Sequence, residues 1–297
     1  MDEELNLTEE EQDYYDLDSS LTENLFNIYY NEVESLKEEQ ESNKSELLLL
    51  LLLLIKNKET NDGIISLTDK EYLEIEKELN SKIDNIVNSE IEKEIDFTEN
   101  IINKVTDEKF NLNSYLYSLG VDEYKIEQIS KEIKNNIIDT NIDGLTFKDR
   151  INNNKNTIGS MLKSDIKLFL TGDITLSIVK ELINTEINTN KFMSDRLVKD
   201  MITRSVSGSN KEWMSKNNID KKIYCSILCP TTCEKCKQNH GEIYDISDVN
   251  APELPRHNYC KCIYIPLITN WKREDKTDIL YENYLTWKSE NGLDGDE

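Results

Sequence analysis

Apolar residues recur at three- and four-residue steps through most of the chain, the spacing of amphipathic helices. Leu21, Leu25, Ile28, Tyr29, Val33 and Leu36 form the first such stripe. Leu47 to Leu54 is then an unbroken run of eight leucines, followed by Ile55. Nine apolar residues span only about 14 Å as a helix, well short of a bilayer, so no membrane span is expected. A helix that is apolar all round cannot leave one face in water. The run is therefore either buried among the chain's own helices or set against another copy or a partner protein, through Leu47, Leu50, Leu51 and Leu54.

Asn61, Asp62 and Gly63 interrupt the pattern. Residues 68–138 are then almost continuously helical in character, with Thr68 as the N-cap and Asp96–Thr98 and Gly120 as expected interruptions. Ile83, Ile86, Val87 and Ile91 make one packing stripe, and Ile126, Ile129, Ile133 and Ile137 another. The mixed charges between them read as a solvated surface. Past a turn at Asn141–Gly144, three helices are expected, separated by Gly172 and by the polar Asn188–Asn190, with Thr171 or Asp173 capping the second. Trp271, Tyr281, Tyr284, Leu285 and Trp287 fit one last amphipathic helix. The expected fold is mostly α (α+β), an elongated helical N-terminal region followed by a small metal-stapled α/β domain. The regions are 1–60, 61–144, 145–268 and an acidic 269–297.

Charge narrows the partners. The chain carries 35 basic and 59 acidic residues, a net charge of -24, which argues against a general nucleic-acid coat. Seventeen acidic residues and four lysines in residues 1–60 make that region the most acidic. From Asn190 to Lys237 the sign reverses, with ten basic residues against five acidic. Lys191, Arg196, Lys199, Arg204 and Lys211 are the candidate contacts for phosphate or an acidic protein surface, with an ordinary solvated helix face as the plain alternative.

The strongest chemistry lies in CSILCPTTCEKCKQNHGEIYDISDVNAPELPRHNYCKC, residues 225–262, which hold all six cysteines. Cys233 and Cys236 form a C-x2-C pair, and His257, Cys260 and Cys262 an H-x2-C-x-C. Two such knuckles across a short insert can complete a tetrahedron around zinc. The opening MDEELNLTEE lacks the pattern of a secretory leader, so clustered thiols read as metal ligands before disulfides. A zinc deaminase needs its histidine before P-C-x-x-C, whereas His240 and His257 both follow Cys236. Cys233, Cys236 and Cys260 are the first three expected ligands, with His257 or Cys262 as the fourth. Cys225 and Cys229 read as small buried apolar residues, and His240 as a loop histidine. A site saturated by thiolates leaves no open position for a reacting water, so a structural, non-catalytic role is expected. The other readings are a zinc-ribbon module binding nucleic acid or protein, and a cysteine-dependent enzyme using His257 beside Cys260.

Residues 145–268 also resemble a known family. Asp149 and Arg150 at a helix start, Arg204 and Ser205 near a helix end, Trp213, the Cys233/Cys236 pair, Gly241 to Tyr244, and above all the closing ELPRHNYCKCIYIPL are similar to the phage Mu protein F-like proteins. These are minor head, or head morphogenesis, proteins of tailed phages. Arg204, Ser205 and Val206 stand where the family commonly has Arg-Thr-Glu, Lys261 replaces an arginine, and CSILCPTTC is an insertion. The resemblance implies a virion component inside the head near the portal vertex, in the host cytoplasm during assembly. It implies the portal protein as first partner, major capsid or scaffold protein as second, weak contact with packaged DNA, no membrane, and a part in packaging or ejection.

Overall fold

The computed structural model describes residues 5–121, 124–227 and 232–293, with only the backbone of Glu59. The fold is mostly α with small sheets. In chain order the helices are α1 (Glu9–Glu32), α2 (Glu34–Ile55), α3 (Asp69–Ser118), α4 (Lys131–Ile138), α5 (Phe147–Leu170), α6 (Leu176–Lys216), α7 (Glu234–Asn239) and α8 (Tyr281–Glu290). The strands are β1 (Glu59–Asn61), β2 (Ile64–Ser66), β3 (Lys221–Cys225), β4 (Ile243–Asp245) and β5 (Ile263–Leu267). Contacts group the chain into two compact units, one of residues 1–31, 100–139 and 199–297, the other of residues 32–99 and 140–198. This differs from the consecutive division expected from sequence, because α3 and α6 each carry residues of both units and no loop marks the change. Among the described residues, no helix is long and apolar enough to cross a membrane.

In the unit of residues 32–99 and 140–198, the core is built from α2, α3, α5 and α6. Leu47, Leu51 and Ile55 lie at i, i+4 steps and are buried in it, while Leu48, Leu50 and Leu54 pack at its margin. Leu49, Leu52 and Leu53 face outward. The leucine run is thus divided: Leu47 and Leu51, expected as partner contacts, are core residues, because a helix packed on one side must bury its i, i+4 row. Leu51→Ala should cost about 2–5 kcal/mol, whereas Leu53→Ser should stay within about 0.5 kcal/mol; urea midpoints of the two variants decide it. The β1–β2 hairpin turns on Asp62 and Gly63, both at positive φ (50° and 81°), as a two-residue hairpin loop requires.

Two expected breaks are absent. Helix α3 runs through Asp96–Thr98, where the Thr98 hydroxyl donates to the Glu94 carbonyl at 2.6 Å. Helix α6 runs through Asn188–Asn190 because the polar side chain at its centre has tertiary partners. The Asn190 amide donates to Glu90 at 2.8 Å and its carbonyl accepts from Lys155 at 2.9 Å. Lys155 also meets Glu94 at 2.7 Å and Ser194 at 3.1 Å. This buried network replaces the solvated surface expected for Glu90 and Glu94. The caps are Thr68 on α3, where Thr68 and Glu71 exchange hydrogen bonds, and Thr146 on α5, where Asp149 completes a capping box. Thr171 instead closes α5, and Thr175 accepts from the Ile178 N–H at the start of α6.

In the other unit, β3 is the central strand of a three-stranded antiparallel sheet of order β4-β3-β5. Ile223 lies opposite Ile243 on one side and Ile265 on the other. Two buried tryptophans of this unit have their ring N–H groups satisfied: Trp213 donates to Ser114 at 3.0 Å and Trp271 to the Leu116 carbonyl at 2.7 Å. A side chain at Gly120 would meet the Trp271 ring at 2.6 Å, so the glycine that ends α3 also seats the tail. Tyr284 of α8 is fully buried and donates to Glu108. The C-terminal aromatics therefore pack back on this unit, although Leu285 remains exposed. Lys109 of α3 and Asp18 of α1 form an ion pair with neither side chain exposed.

Candidate metal centre

Five donors converge at the edge of this sheet. The Cys233 carbonyl accepts from the N–H groups of Cys236 (3.0 Å) and Lys237 (3.1 Å), so the C-x2-C pair is the first turn of α7. The second knuckle precedes β5, where the Cys260 N–H donates to the His257 carbonyl at 3.2 Å. His257 Nε2 lies 3.3 Å from both the Cys233 and the Cys236 sulfur. Cys233, Cys236 and His257 form one triad of donor atoms within 4.8 Å of one another, and Cys236, Cys260 and Cys262 form a second. Cys236 belongs to both.

The surroundings orient these groups. The Asn258 carbonyl accepts from His257 Nδ1 at 2.8 Å, which aims the Nε2 lone pair at the sulfurs, the arrangement a ligating histidine uses. Arg256 donates to the Lys235 carbonyl at 2.9 Å and to Asn239 at 2.6 Å, tying the second knuckle to α7. Thr203 of α6 donates to the Cys260 carbonyl at 2.7 Å. Tyr224 donates to the Cys236 sulfur at 3.6 Å, and Cys262 to Ser226 at 3.6 Å. None of Arg256, Thr203, Tyr224 and Ser226 was singled out by the sequence, where only the place of Arg256 between Pro255 and His257 set it apart. Arg256→Ala should weaken metal affinity by about tenfold, at the low end of outer-shell losses; competition against a chromophoric chelator measures it.

The donors split in proton affinity. The Cys262 hydrogen bond, then the Arg256 and Cys262 N–H groups and the His257 charge, outweigh burial and lower Cys260 to about 5. Its neighbour Cys262 is pushed up, by giving that hydrogen bond and by burial. The Cys236 N–H lowers Cys233, and burial raises Cys236. Burial works against the His257 charge, but the Asn258 carbonyl and the Cys260 and Cys233 sulfurs prevail and raise it. A thiol near 9 when unfolded and about 5 when folded stabilises the metal-free fold fully above the unfolded value and loses that contribution as pH falls through the folded one. Cys262 stays a thiol in both states below about pH 8 and adds nothing there. Chelated protein should therefore lose more stability between pH 8 and pH 5 than its Cys260→Ala variant, read from urea midpoints.

Other expected residues lie elsewhere. Cys225 is buried, with its thiol pushed up to about 12 mainly by burial, as a small apolar residue; Cys229 lies outside the described residues. His240 is not a loop residue in water: its Nδ1 accepts from the Ser226 N–H at 3.1 Å. The five basic candidates are divided between the two units. In their unit, Lys191 pairs with Glu41 and Arg196 lies over the exposed Phe192 ring at 5.9 Å. In the unit with the cluster, Arg204 pairs with Asp200 at 2.8 Å, Lys211 is exposed, and Lys199 lies over Tyr30 at 5.1 Å.

Together these observations define a mostly helical protein whose small antiparallel sheet carries a Cys/His cluster able to hold a metal ion. Comparison with family models, curated proteins and solved structures returns no match for this chain.

Proposed function

We propose that the chain is a minor head protein of a tailed phage whose Cys/His cluster binds a structural zinc ion. The meeting of Cys233 and Cys236 with His257, Cys260 and Cys262 carries this reading, since the last three lie in the resemblance's most specific stretch and the first two form its C-x2-C pair. Soft thiolates with one imidazole match the donor preference of zinc in closed structural sites, where protein ligands fill the shell and leave no position for a reacting water. The role is therefore that of a rigid docking block, not an enzyme. Its partners on this reading are the portal protein first and major capsid or scaffold protein second, in the head interior or at the portal vertex. The outward Leu49, Leu52 and Leu53 offer an apolar face for assembly. The test is mass spectrometry of particles purified from a lysate of the phage that encodes the chain, with binding of purified chain to purified portal protein. Absence from the particles overturns the proposal.

A second reading, a zinc-ribbon module on nucleic acid, draws on one observation. Lys199 and Lys261 both lie over the Tyr30 ring, at 5.1 and 4.8 Å, and Lys199 also over Tyr259 at 5.8 Å. Cations beside aromatic faces are the elements of a single-strand platform. Affinity for single-stranded DNA that falls steeply with salt, and is lost in Lys199→Ala/Lys261→Ala, would select it.

A further inference from the structure

Five donors form two triads that share Cys236, and a tetrahedral ion takes four ligands. We infer that the fourth ligand is exchangeable: the ion is held by Cys233, Cys236, Cys260 and His257, and Cys262 replaces His257 when the imidazole is withdrawn. The inference rests on the zinc reading above and deepens it.

The two triads differ in exposure. His257 is exposed, in the exposed stretch Arg256–Tyr259, whereas Cys260 and Cys262 are buried. Cys236 is common to both groups and lies within 4.8 Å of every other donor, so it stays bound whichever residue completes the shell. His257 is already set for binding, with Nδ1 tied to the Asn258 carbonyl and Nε2 at 3.3 Å from two sulfurs. Cys262 is set in reserve. Its thiol meets the Ser226 hydroxyl at 3.6 Å, a weak S–H contact, and it lies within 4.8 Å of Cys236 and Cys260. An imidazole at the surface can be drawn away by a docking partner, and a buried thiol two residues past Cys260 then keeps the ion and the fold. With His257 the site carries three thiolates and one neutral nitrogen; with Cys262, which releases its thiol proton to water on binding the ion, it carries four thiolates. The exchange thus adds one negative charge without loss of the ion.

Cobalt(II) reports the ligand set through its visible bands and its sulfur charge-transfer absorption. Full-length chain, stripped and refilled with cobalt, should bind one equivalent with a three-sulfur, one-nitrogen spectrum, and Cys262→Ala should not change it. His257→Ala should still bind one equivalent, with visible bands moved to lower energy and stronger charge transfer, as four thiolates give. The double variant should lose affinity beyond the roughly 10–100-fold that an outer-shell change causes. Far-ultraviolet circular dichroism of each variant confirms that it folds. Wild-type protein that binds neither cobalt nor zinc overturns the zinc reading itself. Wild-type binding with a four-sulfur spectrum, or His257→Ala that releases the ion or keeps the wild-type spectrum, overturns the exchange alone.

Discussion

Stripping the zinc proposed for the Cys/His cluster from the purified chain is expected to lower the melting temperature of the unit that holds the cluster by roughly 8–16 °C. An ion present at about a thousandfold over its dissociation constant contributes about 4.1 kcal/mol to the state that binds it. For a unit of roughly 150–250 residues each kcal/mol moves the midpoint by about 2–4 °C. The ion has this leverage because little else holds the segment. Strands β3, β4 and β5 are three to five residues long, α7 is a single short helix, and the cluster joins α7 to the approach to β5. Arg256 provides the main polar tie between the two knuckles that is independent of metal. Amide exchange should accordingly quicken at Ile223 and Ile265, paired across β3 and β5, while the core of residues 32–99 and 140–198 keeps its protection. Cys236→Ser/Cys260→Ser should reproduce the loss and make the chelator ineffective. A metal-free protein with an unchanged midpoint, and no zinc by elemental analysis of the untreated chain, refutes it.

The helices were legible because most of them bury one stripe at helical spacing, and the Cys/His cluster because thiols at knuckle spacing are a common pattern of metal sites. What escaped were the interior polar residues, although they lie in register with apolar stripes. On α3, Leu79, Ile83 and Ile86 continue through Glu90, Glu94 and Thr98 to Ile101, and all are buried. On α5, Lys155 falls between Ile151 and Ile158; on α6, Asn190 and Ser194 follow Ile183 and Ile187. A charged residue at a core position of a stripe is a readable sign of a buried polar partner. Its partner is not readable, since the pairing of Lys155 with Glu90 and Glu94 joins residues more than sixty positions apart. Without that pairing the polar run at Asn188–Asn190 reads as a turn, which is why α6 looked like two helices. The division into units escaped for a related reason: it falls inside α3 and α6, where composition does not change.

Lys109 and Asp18 show the same signature, and their separation should be the costliest single change in the unit that contains them. Asp18 continues the stripe of Tyr14, Leu21 and Leu25, and Lys109 that of Ile102, Val105 and Leu112; every one of these side chains is buried. The pair is closed by Thr22, which accepts from Lys109 at 2.8 Å and donates to Asp18 at 2.8 Å. Burial lowers the Lys109 pKa against the pull of the Asp18 charge, so the ammonium persists because its partner faces it. Lys109→Met leaves a carboxylate with one hydroxyl for company in an apolar interior, and should cost about 3–5 kcal/mol. Asp18→Leu should cost about as much, because a stranded ammonium and a stranded carboxylate lie at similar distances from their ordinary pKa at neutral pH and are about equally costly to neutralise. Replacing both at once removes the charges together, and the double variant should lie within about 1–2 kcal/mol of the wild type or above it, since desolvating two ions offsets much of their attraction. Urea unfolding of the three variants separates the cases. If Lys109→Met and the double variant are equally destabilised, the pair's contribution is side-chain packing, and the electrostatic account of this interior is wrong.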